Sequence, residues 1–355
     1  MKMTLAAPAA AVAALLAYAC PAQAQGQKQK VTIAVASTVF DVSQANNTSI
    51  PYYTKCWERE GVDVELQPTN ANAATQALIT GRVQFVLSGP STAVQARAKG
   101  GKIRSVYLNI RRNFYYTVVP ESSAIKELKD FKGKTVGIFS YGTPGYRLFR
   151  GVLQEAGVDP DKDVTFVETG LGAQAIAALR TGRVDAWAIW DSQVATAENM
   201  GLKFRRFEFP QAAKLNWGSS FYTTDDIIAS NPTVVEKVMR CAAEGTVYTQ
   251  ANPEAAVRGH WAVYPDTKPS NMSEAEAMRQ ARHIVDTRLR FLELREGERW
   301  GEMPESAVQS MIDFMRSTGE LKEPVQAADL YTNQFVDAIN RFDSAAVVQA
   351  AKTAK

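Results

Sequence analysis

The sequence contains an internal repeat that limits the folds available to the chain. Ala74–Gln84 (ATQALITGRVQ) aligns without gaps with Ala175–Asp185 (AIAALRTGRVD), 101 positions later, and seven of the eleven residues are identical. A Gly-Val-Asp step and a β-rich stretch precede both copies. Because three elements recur in the same order, duplication explains the match better than a chance similarity of two helix ends. The repeat therefore predicts two related α/β lobes.

Short β-branched runs alternate with helical patterns in both halves, which predicts parallel sheets. In the first half, the predicted strands are Lys30–Ala36, Val64–Gln67, Phe85–Ser88 and Ile103–Asn109, and the predicted helices are Ser49–Glu60, Ala71–Thr80 and Ser91–Lys99. In the second half, the strands are Thr135–Phe139, Val164–Glu168, Ala186–Trp190 and Phe204–Phe209, and the helices are Gly145–Ala156, Gly172–Thr181 and Gln193–Met200.

Two extended segments, Phe114–Val119 and Ser219–Thr224, do not fit this alternation. We expect them at the edge of the second lobe, as the two strands that connect the lobes and serve as hinges. The predicted first lobe comprises residues 25–116 and 222–355, and the predicted second lobe comprises residues 117–221.

The chain after Pro232 has helical periodicity almost throughout. A Ser-Asn-Pro step marks the first helix start, and apolar residues follow at helical spacing. Later helices are predicted near Ser273–Leu292, Pro304–Thr318 and Ala327–Phe342. We expect this helical tail to pack on the first lobe.

The first 24 residues are predicted to be a signal peptide. Lys2 precedes an apolar run from Leu5 to Ala19, and Ala22-Gln23-Ala24 offers the small residues of a cleavage site. The run is too short for a membrane-spanning helix. Cys20 matches a lipid-attachment box poorly, so a lipid anchor is not favoured. The remaining 331 of 355 residues suffice for two domains, which are expected in the periplasm.

Composition argues for binding and against catalysis. A net charge of +3 is too small for a nucleic-acid or anionic-lipid surface. Two histidines and three cysteines leave little material for a metal site or for nucleophilic catalysis. We therefore expect neither a catalytic residue nor a metal, cofactor or nucleic-acid partner.

Cys56 and Cys241 lie in predicted helices, 185 positions apart. In an oxidising compartment they could form one disulfide. They could equally remain two separate buried thiols, because the sequence does not place their Cα atoms within reach. Both possibilities stay open at this point.

Strand-to-helix loops of both halves would meet at the carboxyl ends of the strands, where open α/β sheets bind ligands. The candidate ligand-binding residues of these loops are Ser37, Thr38, Phe40, Asp41, Gly89, Ser91, Thr92, Ser140, Tyr141, Gly142, Thr143, Tyr146, Trp190 and Asp191. Hydroxyls and free N–H groups at helix starts suit an anion. The alternative is that the hydroxyls only cap their own helices.

Other residues extend or qualify this candidate site. Arg111 or Arg112 could hold a carboxylate or sulfonate, and Trp217 is expected at the cleft edge. The glycines lack the spacing of a nucleotide-binding loop. Asn46, Asn47 and Asn271 begin Asn-x-Ser/Thr sequons, which we interpret as chance matches.

Four short motifs together resemble those of a known family. They are the Ala77-Leu-x-Thr-Gly-Arg-Val-Gln-Phe segment, Asp130-Phe-Lys-Gly-Lys-Thr-Val-Gly, Leu153–Asp159 (LQEAGVD), and Ala178–Asp185 followed by Trp190-Asp191. The chain resembles periplasmic solute-binding proteins of ABC importers, in the nitrate, sulfonate, taurine and thiamine-pyrimidine branch. The similarity covers most of the chain, including Ser317–Pro324 of the tail.

The resemblance implies a type II periplasmic binding protein fold, in which two lobes close on one ligand. It implies a monomer that delivers this ligand to a permease and ATPase in the inner membrane, with contacts from the loops named above. The aromatic residues in those loops suit an organic ligand better than nitrate. We expect a small organic anion or zwitterion, such as a sulfonate, a taurine-like compound or a carboxylate.

Three alternatives remain beside this expectation. The ligand could be a pyrimidine or an aromatic acid, or the chain could be a sensory binding protein for a membrane receptor. One relative in the superfamily, the yeast pyrimidine synthase for thiamine, is an enzyme with an active-site histidine and a cysteine-rich motif. Neither feature occurs at the candidate cleft, so an enzyme is not expected.

Overall fold

Two five-stranded sheets form the frame of the chain in a computed structural model that describes residues 28–141, 143–207 and 214–354. The strands are β1 (Gln29–Ala36), β2 (Val62–Thr69), β3 (Phe85–Ser88), β4 (Ile103–Ile110), β5 (Tyr115–Pro120), β6 (Lys134–Ile138), β7 (Val164–Glu168), β8 (Ala186–Trp190), β9 (Phe204–Phe207) and β10 (Ser219–Thr224). The first sheet has the order β2-β1-β3-β10-β4, and the second has the order β7-β6-β8-β5-β9. The prediction of two α/β units is confirmed. The predicted signal peptide and Cys20 lie outside the described residues.

Both sheets are mixed, so the prediction of parallel sheets is wrong. β1 pairs parallel with β2 and β3, but β10 runs antiparallel between β3 and β4. In the second sheet, β6 pairs parallel with β7 and β8, and β5 runs antiparallel to β8 and β9. A parallel neighbour would need a crossover helix. β5 instead follows β4 of the other sheet after residues 111–114 alone.

The two segments predicted as hinge strands are strands within the sheets. β5 lies between β8 and β9, and β10 lies in the first sheet, not at the edge of the second lobe as expected. The chain passes from one sheet to the other just before each of these strands. The lobe boundaries at 116/117 and 221/222 fall inside β5 and β10, and the division into lobes remains a prediction.

Helices cover the sheets and form most of the chain after β10. They are α1 (Ser49–Tyr53), α2 (Cys56–Arg59), α3 (Ala71–Ile79), α4 (Pro90–Ala98), α5 (Pro144–Glu155), α6 (Ala173–Arg180), α7 (Asp191–Asn199), α8 (Asp225–Ser230), α9 (Pro232–Ala251), α10 (Pro253–Val263), α11 (Glu274–Leu289), α12 (Glu305–Ser317), α13 (Val336–Ile339) and α14 (Ser344–Thr353). Short 3-10 turns occur at Val42–Gln44, Leu128–Phe131, Pro265–Thr267 and Ala327–Asp329.

Two predicted helices differ from the structure. The helix expected over Ser49–Glu60 is split into α1 and α2 by Lys55, whose φ of 54° places it in the left-handed region. The segment expected as one helix over Ala327–Phe342 is helical only at the 3-10 turn Ala327–Asp329 and at α13. Its residues 330–332 bond to β4, because Ser105 N donates to the Leu330 oxygen (2.8 Å) and Thr332 N donates to the Ser105 oxygen (3.0 Å). An edge strand offers free backbone groups that outcompete helix formation here.

A disulfide joins α2 to α9 behind the first sheet. Cys56 and Cys241 are bonded, with their Cα atoms 5.6 Å apart, and both side chains are fully buried. Val234, Val235, Val238 and Met239 of α9 pack in the same apolar cluster as Val31 and Trp57. The alternative of two separate thiols is therefore excluded, and α9 packs on the first sheet as expected.

The tail also reaches the second sheet, through α11. Asn199 at the end of α7 donates to the Gln280 oxygen at 2.9 Å, and Glu198 pairs with His283 at 3.0 Å. On its other side, α11 contacts the turn Val42–Gln44 that follows β1. α11 therefore connects elements of both sheets, beyond the packing on the first lobe that the sequence predicts.

Candidate functional site

A cavity, here called the cleft, lies between the two sheets near the carboxyl ends of β1, β3, β6 and β8. It contains about 820 Å3 of space free of protein atoms, part of it open to solvent. The elements around the first sheet contribute Ala36, Ser37, Asp41, Ser43, Gln44, Asn47, Asn70, Ala71, Leu87, Ser88, Gly89, Asn109, Ile110, Ser219 and Arg288. The segments of the second sheet contribute Phe114, Tyr115, Phe139, Ser140, Thr143 and Trp190. Both sheets thus form the walls of one cavity.

Four helices begin at the cleft. The residues just before α3, α4, α5 and α7 all line it, and they are Asn70, Gly89, Thr143 and Trp190. The first N–H groups of a helix have no partner within the helix and carry partial positive charge. Asn70 caps α3, but no side chain among the described residues caps α4 or α5. The cleft therefore offers N–H donors to an acceptor on a ligand.

Amide side chains form one wall of the cleft. Asn47 Nδ2 donates to Asn109 Oδ1 at 2.9 Å, and Asn109 Nδ2 donates to Ser219 Oγ at 3.2 Å. Nearby, the buried hydroxyl of Ser88 has no hydrogen-bond partner among the described residues. A buried hydroxyl in a cleft is available to a ligand or to water. This wall suits a ligand with polar groups in fixed positions.

Aromatic rings line the opposite wall. Phe114 and Tyr115 lie with ring centroids 4.4 Å apart, and Phe139 meets Trp190 edge-on at 5.6 Å. Tyr115 is further fixed by the backbone of Gly145 at the start of α5, where an added Cβ would lie 2.6 Å from its ring. These faces suit the apolar body of an organic molecule.

Arg288, in the last turn of α11, brings the single cation among the described residues that line the cleft. Its Nε and Nη2 donate to the two carboxylate oxygens of Asp191, at 2.7 and 2.5 Å. Its guanidinium carbon lies 4.8 Å from the ring centroid of Phe114. Burial lowers the pKa of Arg288, but Asp191 and Asp41 raise it by more, so the net shift is upward. The guanidinium is therefore charged at physiological pH.

Asp41 is the one carboxylate among the described residues that line the cleft. Its Oδ1 accepts from the N–H of Ser43 at 2.8 Å and from the Ser43 hydroxyl, which fixes the 3-10 turn after β1. Its Oδ2 accepts from Ser192 Oγ at 3.5 Å and Gln193 Nε2 at 3.4 Å, both in α7. Asp41 thus makes long contacts across the cleft, which leave room for a stronger donor.

Six of the residues that the sequence singles out line the cleft. They are Ser37, Asp41, Gly89, Ser140, Thr143 and Trp190. Ser37 donates to the Val39 oxygen at 2.6 Å, and Thr143 Oγ1 donates to the Ser140 oxygen at 2.7 Å. Both hydroxyls thus serve their own loops, although neither caps a helix. They can still accept hydrogen bonds from a ligand.

Several predicted residues lie close to the cleft but do not line it. Thr38 is exposed, and Phe40 packs against Tyr264 at 5.3 Å. Thr92 is buried and accepts from Thr75 at 3.3 Å. Ser91 and Trp217 line a separate apolar cavity behind α4. Trp217 is fixed there because its Nε1 donates to Ser220 Oγ at 2.8 Å.

The two tyrosines of the second half also lie outside the cleft. Tyr141 is 51% exposed, and its hydroxyl donates to the Phe166 oxygen at 2.9 Å. Tyr146 packs edge-on against Tyr141 and Phe166, with centroids 5.3 and 5.0 Å away. Gly142 lies outside the described residues.

The predicted arginine clamp does not form from Arg111 or Arg112. Arg111 is 4% exposed, and its Nε lies 3.0 Å from Glu298 Oε2. Arg112 donates to the Arg290 oxygen at 2.7 Å. Successive side chains of a strand point to opposite faces. Because Ile110 at the end of β4 faces the cleft, Arg111 points away from it.

Asp191 lies directly behind the cleft wall. It is fully buried beneath Trp190, which lines the cleft, and its N–H donates to the Phe114 oxygen at 3.0 Å. Its carboxylate contacts Arg288 and not the cavity. Asp191 therefore contributes to the cleft by positioning Arg288.

The sequence profile of one family, described as NMT1/THI5 like, matches residues 53–256. These residues include most of the first sheet, all of the second sheet, and α9. The chain belongs to the NMT1/THI5-like family. Its membership confirms the resemblance that the repeat and the short motifs indicate.

Proteins similar to this NMT1/THI5-like chain include solute-binding proteins and an enzyme. It is 27% identical over 300 residues to a binding protein of Brucella abortus, which covers 82% of this chain and 87% of that one. It is 24% identical over 227 residues to a 4-amino-5-hydroxymethyl-2-methylpyrimidine phosphate synthase of Saccharomyces cerevisiae, with 60% and 64% covered. The periplasmic aliphatic sulphonate binding protein SsuA of Escherichia coli has the same fold, with a TM-score of 0.61, 19% identity, and 84% and 96% of the two chains covered.

Two features are absent from the described part of this NMT1/THI5-like protein. No helix there has the length and apolar character needed to cross a membrane. No group of three or more His, Cys, Asp or Glu side chains there has the arrangement of metal ligands.

Sequence reasoning missed three features of this NMT1/THI5-like site: the Asn47–Asn109 pair, Ser219 and Arg288. The sequons at Asn46 and Asn47 drew attention to this turn, but for glycosylation. Ser219 begins a segment that was expected at the edge of the second lobe and lies in the first sheet instead. Nothing in the sequence distinguishes Arg288 from Arg282 and Arg290, which lie in the same helical region.

Proposed function

We propose that this chain is the solute-binding component of an ABC importer. It captures a small organic anion or zwitterion, such as a sulfonate, a taurine-like compound or a carboxylate, in the periplasm and delivers it to a permease. The observation that carries the proposal is one cavity lined from both sheets, on which four helix starts and the Arg288 guanidinium converge. Helix N-termini and the N–H donors of a guanidinium that face one cavity favour an acidic group.

The paired walls support an organic body for this ligand. Aromatic rings on one side would bind an apolar carbon skeleton, while Asn47, Asn109 and Asp41 would bind its donors. Residues 25–116 with 222–355, and residues 117–221, would act as two lobes that close on the ligand. The sulphonate-binding fold of SsuA is consistent with this arrangement.

A pyrimidine or an aromatic acid is the second candidate ligand. The same aromatic wall would stack on a heteroaromatic ring, and the asparagine amides would pair with its ring nitrogens and amino groups. Catalysis of the synthase type is not proposed. His260 is buried against Ser49 Oγ, 2.9 Å away, His283 pairs with Glu198 on the surface, and neither lines the cleft.

The test begins with the compound that the protein carries. Native mass spectrometry of protein purified gently from a periplasmic extract should show a bound small molecule. Thermal-shift assays with sulfonates, carboxylates, aromatic acids and aminopyrimidines should then show stabilisation, of about 2.7 kcal/mol at 100 times the Kd. Arg112 lies outside the cleft, so the variant Arg112→Ala serves as a control. The same compounds should stabilise it as much as they stabilise the parent. Turnover of a compound by the isolated protein would contradict the proposal and support an enzyme.

A further inference from the structure

The guanidinium of Arg288 has an asymmetric environment that the proposed function does not by itself explain. The residue is 7% exposed and lines the cleft. It is the only described residue after β10 that lines the cleft. Placing a charged group there costs solvation free energy, which the pairing with Asp191 offsets.

Three contacts hold the guanidinium in one orientation. Both carboxylate oxygens of Asp191 accept from it, through Nε and Nη2. The Phe114 ring lies beneath it, with the guanidinium carbon 4.8 Å from the ring centroid. Asp191 is itself fixed, because its N–H donates to the Phe114 oxygen at 3.0 Å. A planar fork bound in this way has little rotational freedom left.

The third guanidinium nitrogen of Arg288 is available to a further hydrogen-bond acceptor. Nη1 of Arg288 has no hydrogen-bond partner among the described residues, although Nε and Nη2 are both paired. An arginine has five N–H donors, so the bidentate pair with Asp191 leaves donors for another acceptor. We infer that Arg288 binds the acidic group of the ligand through Nη1, and that Asp191 positions it for this role.

This inference rests on the proposed function and narrows its ligand. Asp191 already neutralises the charge of Arg288, so the guanidinium attracts an anion mainly through directed hydrogen bonds and less through net charge. The ligand must therefore present an acceptor oxygen near Nη1, as a sulfonate or carboxylate does and as the matching amide does more weakly. Preference for an acid over its amide is the property that Arg288 should set.

The experiment compares acids with their amides on full-length mature protein. The probes are propanesulfonate with propanesulfonamide, benzoate with benzamide, and taurine, with Kd values measured by calorimetry. The parent should bind at least one acid and prefer it to its amide. In Arg288→Gln, binding of that acid should weaken by about 30-fold or more, while binding of the amide changes little.

Two further variants separate binding from folding. Arg288→Lys retains the charge but loses the fork, so it should fold like the parent and recover only part of the acid preference. Asp191→Asn should lower that preference although Arg288 is intact, which a purely structural role would not do. Arg282→Gln is the matched control, because it removes a half-buried arginine of the same helix that pairs with Asp286 and does not line the cleft.

The outcomes distinguish failure of this inference from failure of the proposed function. An unchanged acid-to-amide ratio in Arg288→Gln, or in Arg288→Lys if the glutamine variant does not fold, overturns the inference. It is also overturned if no acid binds the parent and the compound carried from the periplasm is neutral; the solute-binding role then stands, with a ligand outside the acid class. If the protein carries no compound and binds none of the probes, both fail.

Discussion

The backbone of Gly245 in α9 approaches the carbonyl oxygen of Asn46 so closely that an added Cβ would lie 2.1 Å from that oxygen. The next residue of α9, Thr246, accepts from Asn46 Nδ2 at 3.0 Å. Asn46 immediately precedes Asn47, which lines the cleft. The buried helix α9 therefore sets the position of one wall of the cleft.

Gly245→Ala should destabilise the protein by about 1 to 3 kcal/mol, because the methyl group forces the turn at Asn46 away from α9. In an open helix the same change would be favourable by about 1 kcal/mol. Urea denaturation measures the difference, and Gln250→Ala, on the half-exposed side of the same helix, is the control. A variant as stable as the parent would show that the close approach relaxes without cost.

The disulfide between Cys56 and Cys241 closes a loop of 185 residues. Removing it in Cys56→Ala/Cys241→Ala should lower the free energy of unfolding by about 3 to 5 kcal/mol, mainly because the unfolded chain gains freedom. The midpoint of urea denaturation should fall, and a reducing agent should shift the parent toward the double variant. If a reducing agent also shifts the double variant, its effect on the parent does not come from this bond.

The bounds of four strands could be predicted from the sequence. Phe85–Ser88, Val164–Glu168, Ala186–Trp190 and Ser219–Thr224 are extended over the predicted bounds. Their order in the sheets could not be predicted. The place of Ser219–Thr224 between β3 and β4 depends on pairing with residues more than 100 positions earlier. Local β-propensity does not indicate which distant segment a strand pairs with.

The candidate site, like the fold, could be predicted only in part from the sequence. Loops at the carboxyl ends of strands could be predicted to meet, and Ser37, Gly89, Ser140 and Trp190 all line one cavity. Side chains alternate between the two faces of a sheet along a strand. The exact end of β4 therefore decides that Ile110 faces the cleft and Arg111 does not. The pair of Asp191 and Arg288 joins residues 97 positions apart, and only the packing of α11 on α7 brings them together.

His260 gives stability a dependence on pH. It is buried in α10 with Nδ1 2.9 Å from Ser49 Oγ, and burial lowers its pKa to about 4. The unfolded chain, with an ordinary histidine pKa near 6.5, binds a proton that the folded state excludes. Stability from this group is therefore full above about pH 6.5 and is lost as pH falls toward 4, by about 3 kcal/mol in total.

His260→Gln should remove this loss. The variant is expected to be less stable than the parent at pH 7 and to lose less stability between pH 7 and pH 4.5. Urea denaturation at several pH values measures both slopes, and His283→Gln, which changes an exposed histidine, is the control. Equal slopes for the parent and His260→Gln would assign the acid sensitivity to carboxylates elsewhere.

Ligand binding should bring the two sheets closer together. The cleft is open to solvent and lined from both sides, and residues 111–114 form a short connection between the sheets. Domain closure about such connections excludes solvent from a ligand. Small-angle X-ray scattering should show a smaller radius of gyration with the carried ligand than after its removal by unfolding and refolding. Superimposable curves for the two samples would contradict closure.

Asp41 should decide whether the ligand needs an amine. Its Oδ2 makes only contacts of 3.4 and 3.5 Å across the cleft, which an ammonium group could replace with a shorter bond. Asp41→Asn keeps an acceptor oxygen for the Ser43 N–H, so the turn after β1 should persist. The charge is lost, and with it the preference for a cationic donor.

We expect Asp41→Asn to weaken binding of taurine by about 10- to 100-fold, the effect of losing one charged hydrogen bond. Binding of propanesulfonate, which has no amine, should stay the same or improve, because a carboxylate no longer repels its acid group. Calorimetry with both compounds measures the ratio, and Asp63→Asn in β2, an exposed carboxylate far from the cleft, is the control. If both affinities fall equally, Asp41 supports the loop and does not select the ligand. If the affinity for taurine does not change, the amine binds elsewhere in the cleft.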